Sequence, residues 1–130
     1  MKISGKRVVV TGAASGIGKA LSCAFNEAGA KSVVCVDINL EGAQATADLI
    51  NGLAVRANVA KESEIINVIQ KANEFSGGID IFCSNAGIGG VPGFFEAETE
   101  DWQQIWEINV QSHIPAAKHV LPQMLEREEG

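Results

Sequence analysis

The chain has 130 residues, of which 46% are hydrophobic and 20% charged. This composition fits one soluble globular α/β domain better than a disordered or fibrous segment. The formal net charge is −6 and no run of basic residues occurs, so we expect neither a nucleic acid nor an anionic membrane as partner. No apolar stretch approaches the ~20 residues that cross a bilayer and the start of the chain has no apolar signal core, so we expect a cytoplasmic protein.

The cysteines and histidines do not suggest a metal site. Cys23, Cys35 and Cys83 lie far apart with no C-x-x-C pair, so we expect buried thiols and neither zinc nor a disulfide framework. His113 and His119 fall on one predicted helix, and we expect neither a partnering cysteine nor a nearby nucleophile for them. Because ligands and bases need converging partners, we expect both histidines to be structural or surface residues.

Strands and helices are predicted to alternate over most of the chain. The strand candidates are residues 7–10, 32–36, 53–57 and 79–83. Helical spacing of apolar residues between them predicts three buried helix faces. These faces are Ile17, Ala20, Leu21, Ala24 and Ala28, then Leu40, Ala43, Ala47 and Ile50, then Ile65, Val68, Ile69, Ala72 and Phe75. Gly29, Gly52 and Gly77-Gly78 follow the helices, where left-handed caps favour glycine. The alternation predicts βαβ units around a parallel sheet.

A glycine-rich loop and a long helix are predicted after the fourth strand. The loop, residues 85–98, includes Pro92, and the helix begins at Thr99 because acidic residues follow in its first turn. Pro115 removes a backbone donor, so we expect a kink or break within residues 111–115. One side of the helix carries Trp102, Ile105, Trp106, His113, Ala117, Val120, Leu121 and Met124. Ile108 and Ile114 add apolar surface elsewhere, which predicts burial on more than one face.

The connection between the first strand and the first helix is a glycine turn, TGAASGIG at residues 11–18. Such a turn directs backbone N–H groups and a helix dipole at an anion. Gly12 would permit the sharp turn, Gly16 would let a pyrophosphate approach, and Gly18 would bring the helix close to the sheet. The spacing differs from G-x-G-x-x-G, and Ala20 stands where a P-loop needs a hydroxyl. By itself the turn could also be only a tight βα connection.

An acidic residue, Asp37, ends the second predicted strand. A carboxylate there can accept both ribose hydroxyls of an adenosine and would repel a 2′-phosphate. Neither Ser15 nor Ile38 supplies an offsetting positive charge. These observations predict NAD as the cofactor rather than NADP. Alternatively Asp37 could cap the second helix, although Asn39 is better placed to do so.

Three motifs resemble those of the short-chain dehydrogenase/reductase family. Residues 11–18 are similar to its T-G-x-x-x-G-I-G motif, residues 85–87 match its N-A-G motif, and Asn109-Val110 matches its helix asparagine. The similarity covers the whole chain, with the motifs in the right order on the right elements. The resemblance implies one NAD(P)-binding domain over residues 1–130, an α/β Rossmann-type doubly wound parallel sheet with strand order 3-2-1-4.

The resemblance also implies which residues bind the cofactor. They are Gly12, Ser15, Gly16, Ile17, Gly18, Asp37, Asn58, Val59, Asn85, Ala86, Gly87 and Val110. In this assignment Ser15 and Ile17 contact the pyrophosphate, Asp37 contacts the adenosine ribose, and residues 58–59 contact the adenine. Residues 85–87 contact the nicotinamide-side ribose, with Val110 packed nearby. Asn58 stands where the family usually has aspartate, and an amide can still bond the adenine edge. Ser84 replaces the common first asparagine of N-N-A-G.

The family's catalytic groups, by resemblance, are a helix asparagine, a serine and a Tyr-x-x-x-Lys pair. Of these only Asn109 is present, and the chain contains no tyrosine. We therefore expect a fragment: the cofactor-binding part of a longer enzyme, with its fourth strand as an exposed apolar edge. Asn109 is implied to hold a water in a proton relay, or else it satisfies backbone groups at the helix kink.

The expected function is NAD(H)-dependent hydride transfer between a cofactor and a small alcohol or ketone. By resemblance the full-length protein is a homodimer or homotetramer, built partly on the long helix. The apolar residues 89–95 could form one wall of the substrate pocket, which hints at a nonpolar substrate. The alternative is a non-catalytic dinucleotide-binding or interaction module. A methyltransferase that binds S-adenosylmethionine would not account for residues 85–87 or Asn109.

Overall fold

The computed structural model describes residues 2–90 and 93–130, so Pro92 of the predicted loop and part of the predicted pocket wall lie outside the described residues. The strands are β1 (Arg7–Thr11), β2 (Ser32–Asp37), β3 (Leu53–Arg56) and β4 (Ile81–Cys83). The helices are α1 (Gly16–Glu27), α2 (Leu40–Ile50), α3 (Glu62–Ser76), α4 (Thr99–Trp106), a π-helical segment (Glu107–Gln111) and α5 (His113–Arg127). The strands form a parallel sheet of order β3-β2-β1-β4, which confirms the predicted fold class.

The predicted strand bounds differ from the observed ones by at most two residues. The largest difference is in β4, which begins at Ile81 rather than at Ile79. There the Asp80 carboxylate, and not a strand carbonyl, accepts from the Arg7 backbone N–H, at 2.9 Å. The side chain therefore replaces the first rung of the ladder between β1 and β4.

The hydrophobic core lies on both faces of the sheet. Successive strand residues alternate between the faces, so each strand contributes to both layers. One layer packs β-strand residues against α3 and α5: Val9, Val34, Val36 and Val55 with Ile65, Val68, Ala116 and Val120. The other packs against α2: Val8, Val10, Val33 and Cys35 with Ala43, Ala47 and Ile50. Burial on both faces explains why the strands are continuous apolar runs.

Helix α1 buries a different face from the one predicted, and the prediction was wrong there. Ile17 is 73% exposed, and Ala20, Ala24 and Ala28 are also exposed. The buried residues are Gly18 and Ser22, with Leu21 partly buried beside them. Gly18 decides this orientation because it is the point at which α1 touches the turn after β1. Leu40 of α2 and Phe75 of α3, each 46% exposed, also lie outside the core.

The left-handed caps agree with the prediction after α1 and α3 but not after α2. Gly29 and Gly77 have φ values of +82° and +81°, as expected. After α2, however, Asn51 takes the left-handed conformation, with φ of 50°. Gly52 is required for a different reason: a Cβ there would lie 2.5 Å from the Val33 carbonyl oxygen.

The predicted long helix is interrupted by the π-helical segment. Pro115, the third residue of α5, has no N–H for the Gln111 carbonyl, and the irregular turn directly precedes it. The expected break is therefore present, but it lies about one turn earlier than residues 111–115. The predicted apolar side is largely exposed; Ser112, Ala116 and Val120 are the buried positions.

The described residues also bear on the predicted burial of the cysteines and on the search for a membrane-spanning helix. Cys35 is buried as predicted, but Cys23 and Cys83 are only partly buried. Both pack against the α2-side layer from its margin. None of the helices in residues 2–90 and 93–130 is both long and apolar enough to span a membrane.

Candidate functional site

A cleft of about 590 Å³ opens at the carboxyl ends of the strands. Its lining consists of residues from the four strand-end loops and from the π-helical segment. They are Gly12, Ser15, Gly16, Ile17, Gly18, Asp37, Ile38, Ala57, Asn58, Val59, Asn85, Ala86, Gly87, Ile88 and Ile108. Crevices at this edge of an open α/β sheet are where such folds bind ligands, and this volume suits one.

All of the predicted cofactor-binding residues except Val110 line this cleft. Val110 is 42% exposed, and Ile108 of the same segment lines the cleft in its place. The π-helical turn changes which side chains face the sheet, and helical periodicity cannot reveal that change. Ile38 and Ile88 are lining residues that the sequence did not single out for this purpose.

The glycine turn forms the floor of the cleft. A Cβ on Gly18 would lie 2.0 Å from the Gly12 carbonyl oxygen, and a Cβ on Gly12 would lie 3.0 Å from the Ala86 Cα. Gly12 and Gly16 also have φ values of +73° and +51°, which favour glycine. Ser15, the N-cap residue of α1, makes no capping hydrogen bond through its side chain to any described residue. The first N–H groups of α1 are therefore available to an anion.

Asp37 joins the glycine turn to the loop that follows β2. Its Oδ2 accepts from the Ala14 backbone N–H at 3.0 Å, and its Oδ1 accepts from the Asn39 backbone N–H at 2.9 Å. The capping of α2 belongs to Asn39, whose Oδ1 accepts from the Gly42 N–H at 3.1 Å. Each Asp37 oxygen keeps a lone pair for a further donor. Among the described residues that line the cleft there is no lysine or arginine.

Thr11 organises the opposite wall of the cleft. Its buried hydroxyl donates to the Cys83 carbonyl at 3.2 Å and accepts from the backbone N–H groups of Asn85 and Ala86 at 2.9 and 3.0 Å. The Asn85 side-chain amide returns a hydrogen bond to the Thr11 carbonyl at 3.0 Å. The end of β1 thus fixes the loop that follows β4. From the sequence, Thr11 was recognisable only as the first residue of the T-G-x-x-x-G-I-G motif, and these contacts were not predictable.

Asn109 fixes the next part of the same loop. Its Oδ1 accepts from the Ile88 N–H and its Nδ2 donates to the Ile88 carbonyl, both at 2.8 Å. Gly87 lies against this amide, because a Cβ there would be 3.2 Å from the Asn109 Oδ1. The backbone groups that Asn109 satisfies therefore belong to the loop rather than to the helix kink.

His113 has partners that the sequence did not reveal. Its Nδ1 lies 2.6 Å from the Ser84 Oγ, and its Nε2 lies 2.9 Å from the Asn109 carbonyl oxygen. Because a carbonyl only accepts, Nε2 carries a proton, and in the neutral ring Nδ1 accepts from the serine. The expectation that no nucleophile lies near His113 was wrong, because the Ser84 hydroxyl does. Ser84 is 29 residues away in the chain and is brought close only by the packing of α5 on the sheet.

His119 is partly buried and has the structural role that was one of the two expected for it, because it helps to join α3 to α5. The Glu62 Oε1 accepts from its Nε2 at 2.7 Å and from the Lys118 Nζ at 2.9 Å. These two hydrogen bonds, that of His119 first, lower the pKa of Glu62. The described part of the chain holds no group of three histidine, cysteine or carboxylate side chains arranged to bind a metal ion.

The turn between β3 and α3 contains Asn58 and Val59, the two residues predicted to contact the adenine. The Glu64 Oε2 accepts from the Asn58 backbone N–H at 2.7 Å, and that hydrogen bond is the main reason for the lowered pKa of Glu64. The Asn58 Oδ1 accepts from the Ala60 N–H at 3.0 Å. Asn58 and Val59 are thereby held at the cleft.

The parallel sheet, its strand order and the cleft at its carboxyl edge define a Rossmann-type α/β domain. A family model described as short chain dehydrogenase matches residues 6–130. The chain belongs to the short-chain dehydrogenase/reductase family.

Curated proteins of the family match almost the whole chain in sequence. A 7alpha-hydroxysteroid dehydrogenase of Escherichia coli is 36% identical over 129 residues, covering 95% of this chain and 50% of the relative. A 3-oxoacyl-[acyl-carrier-protein] reductase of Vibrio cholerae is 36% identical over 132 residues, covering 100% and 54%. The chain thus spans about half the length of the curated relatives that it matches.

Solved structures give the same result for the fold. A hydroxysteroid dehydrogenase from Escherichia coli superposes with a TM-score of 0.87 at 35% identity, covering 97% of this chain and 55% of that one. A short-chain type dehydrogenase/reductase from Mycobacterium marinum gives a TM-score of 0.88 at 31% identity, covering 97% and 53%.

Proposed function

We propose that this protein is an NAD(H)-dependent oxidoreductase that transfers a hydride between the cofactor and a small alcohol or ketone. Residues 1–130 supply the cofactor-binding part. Membership of the short-chain dehydrogenase/reductase family supports the reaction class. The observation that carries the choice of cofactor is Asp37, which lies in the cleft beside the glycine turn.

The shape of the cleft fits a dinucleotide. The missing side chains of Gly12 and Gly18 let the turn, α1 and the loop after β4 approach one another closely. The uncapped start of α1 offers backbone N–H groups to a pyrophosphate. The Asp37 carboxylate, next along the sheet edge, can accept from ribose hydroxyls while it continues to bind the Ala14 and Asn39 N–H groups.

The same carboxylate supports NAD(H) over NADP(H). A 2′-phosphate would lie against Asp37, and the lining that the structure describes holds no lysine or arginine to offset the repulsion. We assign this like-charge contact a penalty of about 2 kcal/mol, or about thirtyfold in affinity.

The nicotinamide ring, when bound, supplies or accepts the hydride. On the side of the cleft where it would lie, the chain contributes position rather than proton transfer. Thr11 and Asn109 hold residues 85–88 at both ends of that loop, and Ile88 and Ile108 present apolar surface to the cleft. We infer that Asn109 is a positioning residue. The chain contains no tyrosine, so we propose that the proton donor lies in a longer natural chain.

We also infer a homodimer or homotetramer for the full-length protein. An apolar stripe runs along α4, the π-helical segment and α5, and it consists of Trp102, Trp106, Val110, Ile114 and Leu121, each 42–65% exposed. Exposed apolar surface of this kind marks interfaces. The relatives carry the names of oxidoreductases, which does not favour a non-catalytic module. The cytoplasmic location remains a prediction from the sequence.

Calorimetric titration with NADH and with NADPH tests the proposed cofactor. The protein should bind NADH about thirtyfold more tightly, and Asp37→Asn should reduce this ratio to about threefold, mainly by improving the binding of NADPH. The matched control is Asp48→Asn, because Asp48 is an exposed carboxylate of α2 that bonds only Gln44 among the described side chains. The control makes the same change in net charge, so its ratio should equal that of the wild type. Equal binding of the two cofactors by the wild type would contradict the proposal.

A further inference from the structure

His113 lies on the surface, yet both nitrogens of its ring are bonded within the protein. The residue is exposed at the start of α5. Its Nδ1 accepts from the Ser84 hydroxyl at 2.6 Å, and its Nε2 donates to the Asn109 carbonyl at 2.9 Å. Ser84 directly follows β4, whereas Asn109 belongs to the π-helical segment. The ring therefore bridges the end of a strand and the irregular turn that precedes α5.

This histidine bridge connects the two ends of the loop that forms one wall of the cleft. Ser84 directly precedes the residues of that loop which line the cleft, and the Asn109 side chain holds Ile88, the last of them. The start of the loop is fixed against β1, and its end is fixed against the π-helical segment. The His113 ring joins these two points of attachment to each other.

The same ring also supports the π-helical turn. The carbonyl oxygens of Ile108 and Asn109 accept from side chains four residues further on, from the Ser112 hydroxyl at 2.7 Å and from the His113 Nε2 at 2.9 Å. Such turns are rare and are frequently found at functional sites. This one places Ile108 rather than Val110 in the cleft. The ring thus acts on two parts of the same wall, the loop and the turn.

We propose that His113 and Ser84 are positioning residues for the nicotinamide half of the cofactor. The inference rests on the proposed function, which assigns that half to the loop of residues 85–88. The adenosine and pyrophosphate half is assigned to the glycine turn and Asp37, and the hydrogen bonds of His113 in the described structure reach neither of these. Loss of the histidine bridge should therefore weaken the contacts of the nicotinamide and its ribose and leave the other half of the site intact.

Calorimetric titration of the full-length protein with NADH and with ADP tests this inference. ADP carries the adenosine and both phosphates but neither the nicotinamide nor its ribose, so the ratio of the two dissociation constants reports on the nicotinamide half. His113→Phe keeps an aromatic ring and removes both hydrogen bonds. It should weaken the binding of NADH about fivefold, the size of one net hydrogen bond, and should change the binding of ADP by less than about twofold.

Further variants separate positioning from a general loss of stability. His119→Phe is the matched control, because it makes the same substitution on the same helix but breaks a hydrogen bond to Glu62, and neither residue lines the cleft. It should leave both dissociation constants unchanged. Ser84→Ala removes the hydroxyl alone and should also weaken the binding of NADH and not that of ADP. Ser84→Thr keeps a hydroxyl and should bind NADH as the wild type does.

The outcomes separate this inference from the proposed function. If the wild type does not bind NADH, the proposed function fails and the inference fails with it. If the wild type binds NADH but His113→Phe leaves the ratio of the two dissociation constants unchanged, the inference alone is overturned. Equal losses of affinity for both ligands would show that the bridge only stabilises the fold, and would overturn it as well. If His113→Phe does not fold, Ser84→Ala decides the matter by the same ratio.

Discussion

Replacing Asp80 with asparagine should remove an acid-sensitive link between the starts of β1 and β4. Asp80 is 3% exposed, and its Oδ2 accepts from the Arg7 backbone N–H and Nε at 2.9 and 2.8 Å. Its Oδ1 accepts from the Arg7 Nη2 at 2.5 Å, with the Arg127 Nη2 at 3.5 Å. The Arg7 side-chain hydrogen bonds, opposed by burial, lower the pKa of Asp80 from 3.8 to about 2.

This lowering of the pKa sets the size and the pH range of the effect. At ~1.36 kcal/mol per pH unit, the change corresponds to about 2 kcal/mol of stability. Because the pKa is lower in the folded protein, the contribution is complete above about pH 5 and is lost as the pH falls from ~4 to ~2. Asparagine keeps one carbonyl oxygen but leaves the largely buried Arg7 without a counter-charge. The loss at pH 7 should therefore be about 2–4 kcal/mol.

Urea unfolding of the wild type and of Asp80→Asn at pH 7, 5, 4 and 3 measures this effect. The difference in free energy of unfolding should be constant from pH 7 to 5 and should shrink at pH 4 and 3, as the wild-type carboxylate takes up a proton. Asp48→Asn, a substitution of an exposed acid, should change stability by less than about 0.5 kcal/mol. A difference for Asp80→Asn that is absent at pH 7, or that stays the same down to pH 3, would refute the reasoning.

Three further predictions concern the cleft and the surface. Gly18→Ala should lower the affinity for NADH at least tenfold and should also lower the Tm. The new Cβ would lie 2.0 Å from the Gly12 carbonyl oxygen, and this clash outweighs a gain of about 1 kcal/mol in helix propensity. A higher Tm with unchanged binding of NADH would contradict this prediction. Thr11→Val should lower the free energy of unfolding, measured in urea, by about 2–4 kcal/mol, because the N–H groups of Asn85 and Ala86 lose their acceptor. A decrease of less than about 0.5 kcal/mol would contradict the contacts described. Light scattering should show the full-length protein as a dimer or tetramer. Ile114→Asp should weaken this assembly, because Ile114 is 65% exposed on the apolar stripe. A wild-type protein that is monomeric at micromolar concentration would count against the proposed interface.

Most of the fold was predictable from local patterns. Apolar β-branched runs produced all four strands, and the alternation with helical stretches produced a parallel sheet of the predicted order. The glycine turn and Asp37 were recognisable because each is a short segment whose chemistry depends on its neighbours in the chain. The face of α1 was not predictable from apolar spacing, because the contact at Gly18 is a steric one and a glycine contributes nothing to a hydrophobic pattern.

The sequence by itself determined the strands, the family and the set of residues at the strand ends, since these depend on residue type and spacing. Only the tertiary structure showed how these residues are connected. The contacts from Thr11 to residues 85–86, from Asn109 to Ile88 and from His113 to Ser84 join positions 74, 75, 21 and 29 residues apart. The replacement of Val110 by Ile108 in the cleft likewise depends on one π-helical turn. Such contacts are set by how helices pack on the sheet, and no local periodicity encodes them.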